Sequence, residues 1–199
     1  MITLNDLTGF LNETLTPDEF QDFCHNGLQV EGKKDIRKIV FGVSFNQLFL
    51  EKAIDASADV LIVHHGIFGK NHFRLTGVLR EKIKMLLDHN ISLLGYHLPL
   101  DAHPELGNNA EIIRMVEADI DEPFEVGFIA RNTRHAALCD MLNRWHRALN
   151  PNTEENANYY HRIPDAGNPL FPVRWAGFSI YPYGPEKPCR MAVVSGGSG

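Results

Sequence analysis

With 199 residues, the chain is long enough to bury a proper core, as one domain or as one domain with a subdomain. Its 44% hydrophobic and 22% charged content excludes overall disorder. The formal net charge of −6 argues against a broad nucleic-acid-binding surface, which wants clustered Lys and Arg. No apolar run approaches the ~20 residues needed to cross a bilayer. Met1-Ile2-Thr3-Leu4-Asn5-Asp6 lacks the basic-then-apolar pattern of a secretory signal. Cys24, Cys139 and Cys189 are far apart and form no C-x-x-C pair. That pattern fits reduced thiols in a cytoplasmic protein, buried as small hydrophobes.

In chain order, Thr3 and Asp6 form a T-x-x-D helix start, with Leu4, Leu7, Phe10 and Leu11 at helical spacing. Asp22 to Gly32 reads as loop, with Asn26-Gly27 as its turn. Lys38 to Ser44 is a β-branched and aromatic run that predicts a strand, and Ser44 with Gln47 fits a capping box for a helix through Leu50, Ala53, Ile54 and Ser57. Asp59 to Val63 is a short continuous apolar run, as in a strand buried on both faces. Val78 to His89 returns to helical spacing, Ile91 to Tyr96 predicts a third strand, and Asn108 with Glu111 opens a further helix. The alternation predicts an α/β fold: a parallel-core βαβαβα unit with helices on both faces.

From about Pro123 the character changes. Thr133 to Leu149 is an amphipathic helix pattern. Seven of the 11 prolines then fall between Pro151 and Pro188, so this stretch reads as loop-rich, with edge strands at Val173–Tyr181 and Arg190–Ser195. The organisation expected is a metal-site α/β domain over residues 1–122 and a loop-rich α+β subdomain over 123–199. Gly196-Gly197-Ser198-Gly199 is either a linker scar or a Gly-rich turn after a strand.

In open parallel sheets, ligands sit at the carboxyl ends of the strands. The second strand runs into His64-His65-Gly66, and the third into His97-Leu98-Pro99-Leu100-Asp101-Ala102-His103. Neighbouring strands lie ~5 Å apart, so these residues can share a site. Imidazole and carboxylate together suit Zn, Mn, Fe, Co or Ni. Adjacent strand residues point to opposite faces, so His64 and His65 should diverge and serve two metals, with Asp101 as a bridge. The plainer reading is a buried His pair bonded to backbone, with Asp101 capping a turn. His97 and His103 are candidate proton carriers or outer supports. His25 could face the same site, whereas His72, His89, His135, His146 and His161 read as surface or helix-face residues.

Three segments together are recognisable: Asn26-Gly27-Leu28-Gln29-Val30-Glu31-Gly32, Ala58 to Gly66, and above all the run from Gly95 to Asn109 (GYHLPLDAHPELGNN). They resemble the YbgI family, also called NIF-three-like proteins or type 2 homologues of GTP cyclohydrolase I. The resemblance is close and in order over roughly residues 1 to 120, and returns at Met191 to Gly199. It implies a dinuclear metal centre with His64, His65 and Asp101 in three ligand positions, and a ring-shaped homohexamer. A metal-dependent hydrolase is implied as well; the reading built on it is hydrolysis of a small, nucleotide-like molecule with Asp101 and His97 as catalytic residues. The family completes its centre with a His and a Glu on a C-terminal helix, which this chain does not reach. A second reading is therefore a non-catalytic oligomeric scaffold with an incomplete site, of a kind linked to DNA-repair or transcription partners. A third is a mononuclear centre using one of the His pair, Asp101 and His97.

Overall fold

The computed structural model of the chain describes residues 1–69, 74–149, 173–175, 178–180 and 185–195. It divides into two compact units, Met1–His103 and Pro104–Gly199.

In the first unit, β1 (Ile2–Thr3) leads into α1 (Leu4–Leu15), and Thr3 closes the capping box read from the sequence. Its hydroxyl accepts from the Asp6 N–H at 3.1 Å, while the Asp6 carboxylate accepts from the Thr3 N–H at 3.3 Å. There follow β2 (Gly27–Val30), β3 (Asp35–Ile36), β4 (Ile39–Ser44), α2 (Gln47–Asp55), β5 (Val60–His65), α3 (Gly77–Asp88), β6 (Ser92–Gly95) and α4 (Leu98–Ala102). β4, β5 and β6 are parallel neighbours and β2 joins β6 antiparallel, giving the order β2-β6-β5-β4. This is the α/β class with a parallel core that the alternation predicts.

β5 is central, and its side chains divide between two apolar layers. Val60 and Ile62 pack with Leu94, Tyr96 and the α1 residues Leu4, Leu7 and Leu15. Leu61 and Val63 pack with Leu93, with Leu50 and Ala53 of α2, and with Ile83 and Leu86 of α3. Helices therefore cover both faces, which is why β5 reads as an unbroken apolar run rather than an alternating one.

Two local readings are corrected. Gly27–Val30, read as loop, is the strand β2, which exists because β6 offers it an edge rather than through its own propensity. The N-cap of α2 is Asn46, whose side chain accepts from the Phe49 N–H at 2.9 Å, so Ser44 does not cap this helix.

Polar brackets fix both ends of β5. At its start, the buried Asp59 carboxylate accepts from the N–H groups of Arg37 and Lys38 at 2.6 and 2.9 Å and pairs with Lys33. Beyond its end, Gln29 of β2 accepts from the Ile67 N–H at 2.7 Å and donates to the His25 carbonyl at 2.6 Å. Gly66 and Gly95 lie against this Gln29 amide, where a Cβ on either residue would collide with it.

The second unit holds α5 (Asn108–Met115), β7 (Asp119–Phe124), β8 (Gly127–Arg131), α6 (Leu138–Leu149), the antiparallel pair β9 (Val173–Trp175) and β10 (Phe178–Ile180), and β11 (Arg190–Val193). β11, β8 and β7 form an antiparallel sheet in that order, packed through Phe128, Ala130 and Val193 on Ala110, Ile113 and Met141. The N-cap of α5 is Gly107, not the expected Asn108, and α6 starts five residues later than Thr133. Gly196 to Gly199 lie outside the described residues.

Burial raises the Asp59 carboxyl, but Lys33 and the two N–H donors outweigh it and hold the group below its usual 3.8. A carboxyl depressed on folding stabilises the fold above its unfolded value, and that stabilisation is lost as pH falls through the folded one. Asp59→Asn is therefore expected to cost about 1–3 kcal/mol near neutral pH and to flatten the loss of stability below pH 3.8. Urea unfolding at a series of pH values checks this. An acid arm unchanged by the substitution contradicts the bracket.

Candidate metal centre

The parallel register sets the site. Ser44 lies opposite His65, and Val63 opposite Gly95, so β5 ends between the last residue of β4 and the segment that follows β6. The Tyr96 N–H donates to the Val63 carbonyl at 2.9 Å, carrying the pairing up to His97.

Here the three imidazoles meet. Ring centroids of His64 and His65 are 4.5 Å apart, those of His64 and His97 4.8 Å, and those of His65 and His97 5.6 Å. One ligand nitrogen from each of the three lies within 4.8 Å of the others. His64 and His97 are buried and His65 is exposed. The adjacent histidines therefore do not diverge as strand alternation suggests. His65 is the last residue of β5, and past the strand end no backbone separates the two faces.

Every ring has its Nδ1 engaged by an oxygen. His64 Nδ1 donates to the Tyr96 carbonyl at 3.1 Å, His65 Nδ1 meets Ser44 Oγ at 2.8 Å, and His97 Nδ1 lies 3.1 Å from each Asp22 carboxylate oxygen. Bonds of this kind are what orient imidazoles for a metal, leaving Nε2 for the ion. Ser44, read as a helix cap, is thus a support for His65.

Asp101 is fully buried in α4, within a turn in which the Leu100 and Asp101 N–H groups donate to the His97 carbonyl at 3.0 and 3.2 Å. Its Oδ2 stands 3.5 Å from His64 Nε2. Because His64 donates its one ring hydrogen to a carbonyl, its neutral form turns a lone pair toward that carboxylate. Two donors each about 2.0–2.2 Å from one ion, at a tetrahedral angle, lie about 3.4 Å apart. The observed separation therefore fits a shared cation. Burial pushes the His64 imidazole below its usual 6.5, and the neighbouring His65 and His97 add to this. Asp101 and the Tyr96 carbonyl pull the other way without cancelling it. His64 is neutral at neutral pH, as a ligand must be.

The residue sequence reasoning missed is Asp22. Buried, it accepts from the Cys24 N–H at 3.0 Å, Asn26 Nδ2 at 3.1 Å, the Leu98 N–H at 3.1 Å and His97. Its only sequence signal is an Asp near Asn-Gly, which reads equally as turn chemistry. With Cys24 and His97 it forms a second group of close ligand atoms.

Other expectations fall elsewhere. His25 is exposed. His146 is a helix-face residue, on the buried side of α6, and His72 and His161 lie outside the described residues. Cys24 and Cys139 are half-buried and Cys189 is exposed beside an edge strand, so none is the fully buried small hydrophobe expected. Among the described residues no helix is long and apolar enough to cross a membrane.

The chain is similar to a set of known proteins. The chain is 44% identical over 180 residues to the GTP cyclohydrolase 1 type 2 homolog of Pseudomonas aeruginosa, covering 87% of this chain and 69% of that protein. It is 48% identical over 116 residues to the homolog of Yersinia pestis, covering 58% of this chain and 47% of the relative. The chain thus spans about half to two thirds of the length of these relatives. The solved structure of protein ybgI, of unknown function, superimposes with a TM-score of 0.68 at 38% identity, covering 74% of this chain and 60% of that one. A family model matches residues 2–197, and the chain belongs to the Duf34/NIF3 (NGG1p interacting factor 3) family.

Proposed function

We propose that this chain carries the ligand core of a dinuclear metal-dependent hydrolase centre, in which His64, His65 and Asp101 hold divalent transition metals, Zn, Mn, Fe, Co or Ni. The observation that supports it is the meeting of His64 Nε2 and Asp101 Oδ2 at 3.5 Å beside two further imidazoles. When bound, such ions lower the pKa of water and stabilise the charge that builds on the oxygens of a hydrolytic transition state. The protein's own share is positional. Asp101, held by the α4 turn, orients the reacting group, and His97 offers an acceptor nitrogen beside it. The substrate class is a small molecule. The name of the relatives, GTP cyclohydrolase 1 type 2 homolog, makes nucleotides the first to assay. A cytoplasmic homohexamer, with residues 1–122 as the metal-site domain and 123–199 as its loop-rich partner, completes the reading.

A second reading is a non-catalytic interaction protein. The family's description as an interacting factor favours it. It expects partner binding to survive Asp101→Ala, whereas full metal occupancy with turnover excludes it.

Metal analysis of the purified chain is expected to find about two transition-metal ions per protein, and His65→Ala to lose most of them together with nucleotide hydrolysis. Ser44→Ala, which removes the support on His65 Nδ1, is expected to weaken metal affinity about 10-fold or more and to leave the unfolding midpoint nearly unchanged. Equilibrium dialysis against zinc measures the affinities, and thermal unfolding the midpoint. Trace metal in the wild type, or a His65→Ala protein that retains its ions, contradicts the proposal.

A further inference from the structure

We propose that Asp22 is the positioning residue of this centre: it holds His97 as the Nδ1–H tautomer, so that Nε2 turns its lone pair toward His64 and His65 and His97 serves the cation as a third imidazole. The inference rests on the metal-centre reading above, but gives the His97 nitrogen to the cation instead of to a proton and adds Asp22 behind it.

The geometry leaves His97 little freedom. Both Asp22 oxygens lie 3.1 Å from Nδ1, and an ionised carboxylate can only accept, so Nδ1 carries the hydrogen. The Asp22 oxygens also accept from the Cys24 N–H, Asn26 Nδ2 and the Leu98 N–H, so the carboxylate is surrounded by donors and acts as an acceptor throughout. Asn26 Oδ1 accepts from the His97 main-chain N–H at 2.7 Å, fixing the root of the side chain. The Phe23 ring stands edge-on to the imidazole, with centroids 5.2 Å apart. With Nδ1 spent, Nε2 is the nitrogen left for the cluster. A carboxylate behind a histidine is the usual support for a metal ligand, and it raises the basicity of the free nitrogen.

Asp22, Cys24 and His97 form a competing group that could itself hold an ion. Two observations weigh against it. Both Asp22 oxygens already accept main-chain or amide hydrogens. His97 Nδ1 in turn meets both Asp22 oxygens at 3.1 Å, a hydrogen-bond distance, so that nitrogen is spent on Asp22 and is not open to an ion there.

The test begins with the whole chain, metal-free, with 15N-labelled histidine. Two-bond nitrogen–proton correlations are expected to show His97 as the Nδ1–H form, and the Nε2–H form overturns the proposal. Cobalt(II) titrations followed by visible absorption give the second arm. Asp22→Asn offers an amide N–H to Nδ1, which places the ring hydrogen on Nε2 and removes the ligand. It is expected to weaken cobalt binding about 10–100-fold, and to change nothing in a His97→Gln background. Equal losses in both backgrounds mean that Asp22 acts through its loop, not through His97, and overturn the assignment. So does a sulfur-to-cobalt band that vanishes in Cys24→Ser. No cobalt uptake by the wild type overturns the metal-centre reading and the third-imidazole role with it, while the tautomer measurement is decided separately.

Discussion

The site depends on one constraint, the register of three parallel strands. Hydrogen bonding between β4, β5 and β6 fixes Ser44 beside His65 and carries Tyr96 alongside Val63, so the chain leaves the sheet with His64, His65 and His97 in contact. A slip of one residue in β5 would exchange its two faces, sending Leu61 and Val63 into the layer that now holds Val60 and Ile62. The apolar core therefore enforces the placement of the polar cluster. Asp59 and Gln29 bracket the same strand at its two ends.

Electrostatics then follow from burial. Asp22 and Asp101 are carboxylates taken out of water, a costly arrangement unless each is compensated. For Asp22 the compensation comes from hydrogen-bond donors on the loop, on the start of α4 and on His97. Asp101 in addition faces His64 Nε2 across 3.5 Å. That separation is the one that two ligands of a single cation would keep, about 3.4 Å.

Much of this was legible in the sequence, for definite reasons. β5 and β6 are short apolar runs between helical spacings, and that pattern has few other solutions. The strand-end rule then points to His64, His65, His97 and Asp101 from the sequence alone. What stayed hidden depends on tertiary contact. β2 is a strand only through β6, and β7 escaped notice because Asp119-Ile-Asp-Glu-Pro-Phe is acidic, carries a proline and is exposed throughout. Ser44 and Asp22 are residue types that cap and turn locally, and nothing in their neighbours reveals that each is bonded to a distant imidazole. The convergence of His64 with His65 was hidden as well, because alternation applies within a strand and His65 ends one.

The central claim is a location: cations at the ends of β5 and β6, held by His64, His65 and Asp101. Anomalous X-ray scattering from crystals grown with manganese or zinc tests it most directly. The account expects two peaks, one within bonding distance of both His64 Nε2 and Asp101, the other beside His65. A single peak would reduce the centre to one ion. Peaks confined to other parts of the molecule, with this cluster empty, would contradict the account.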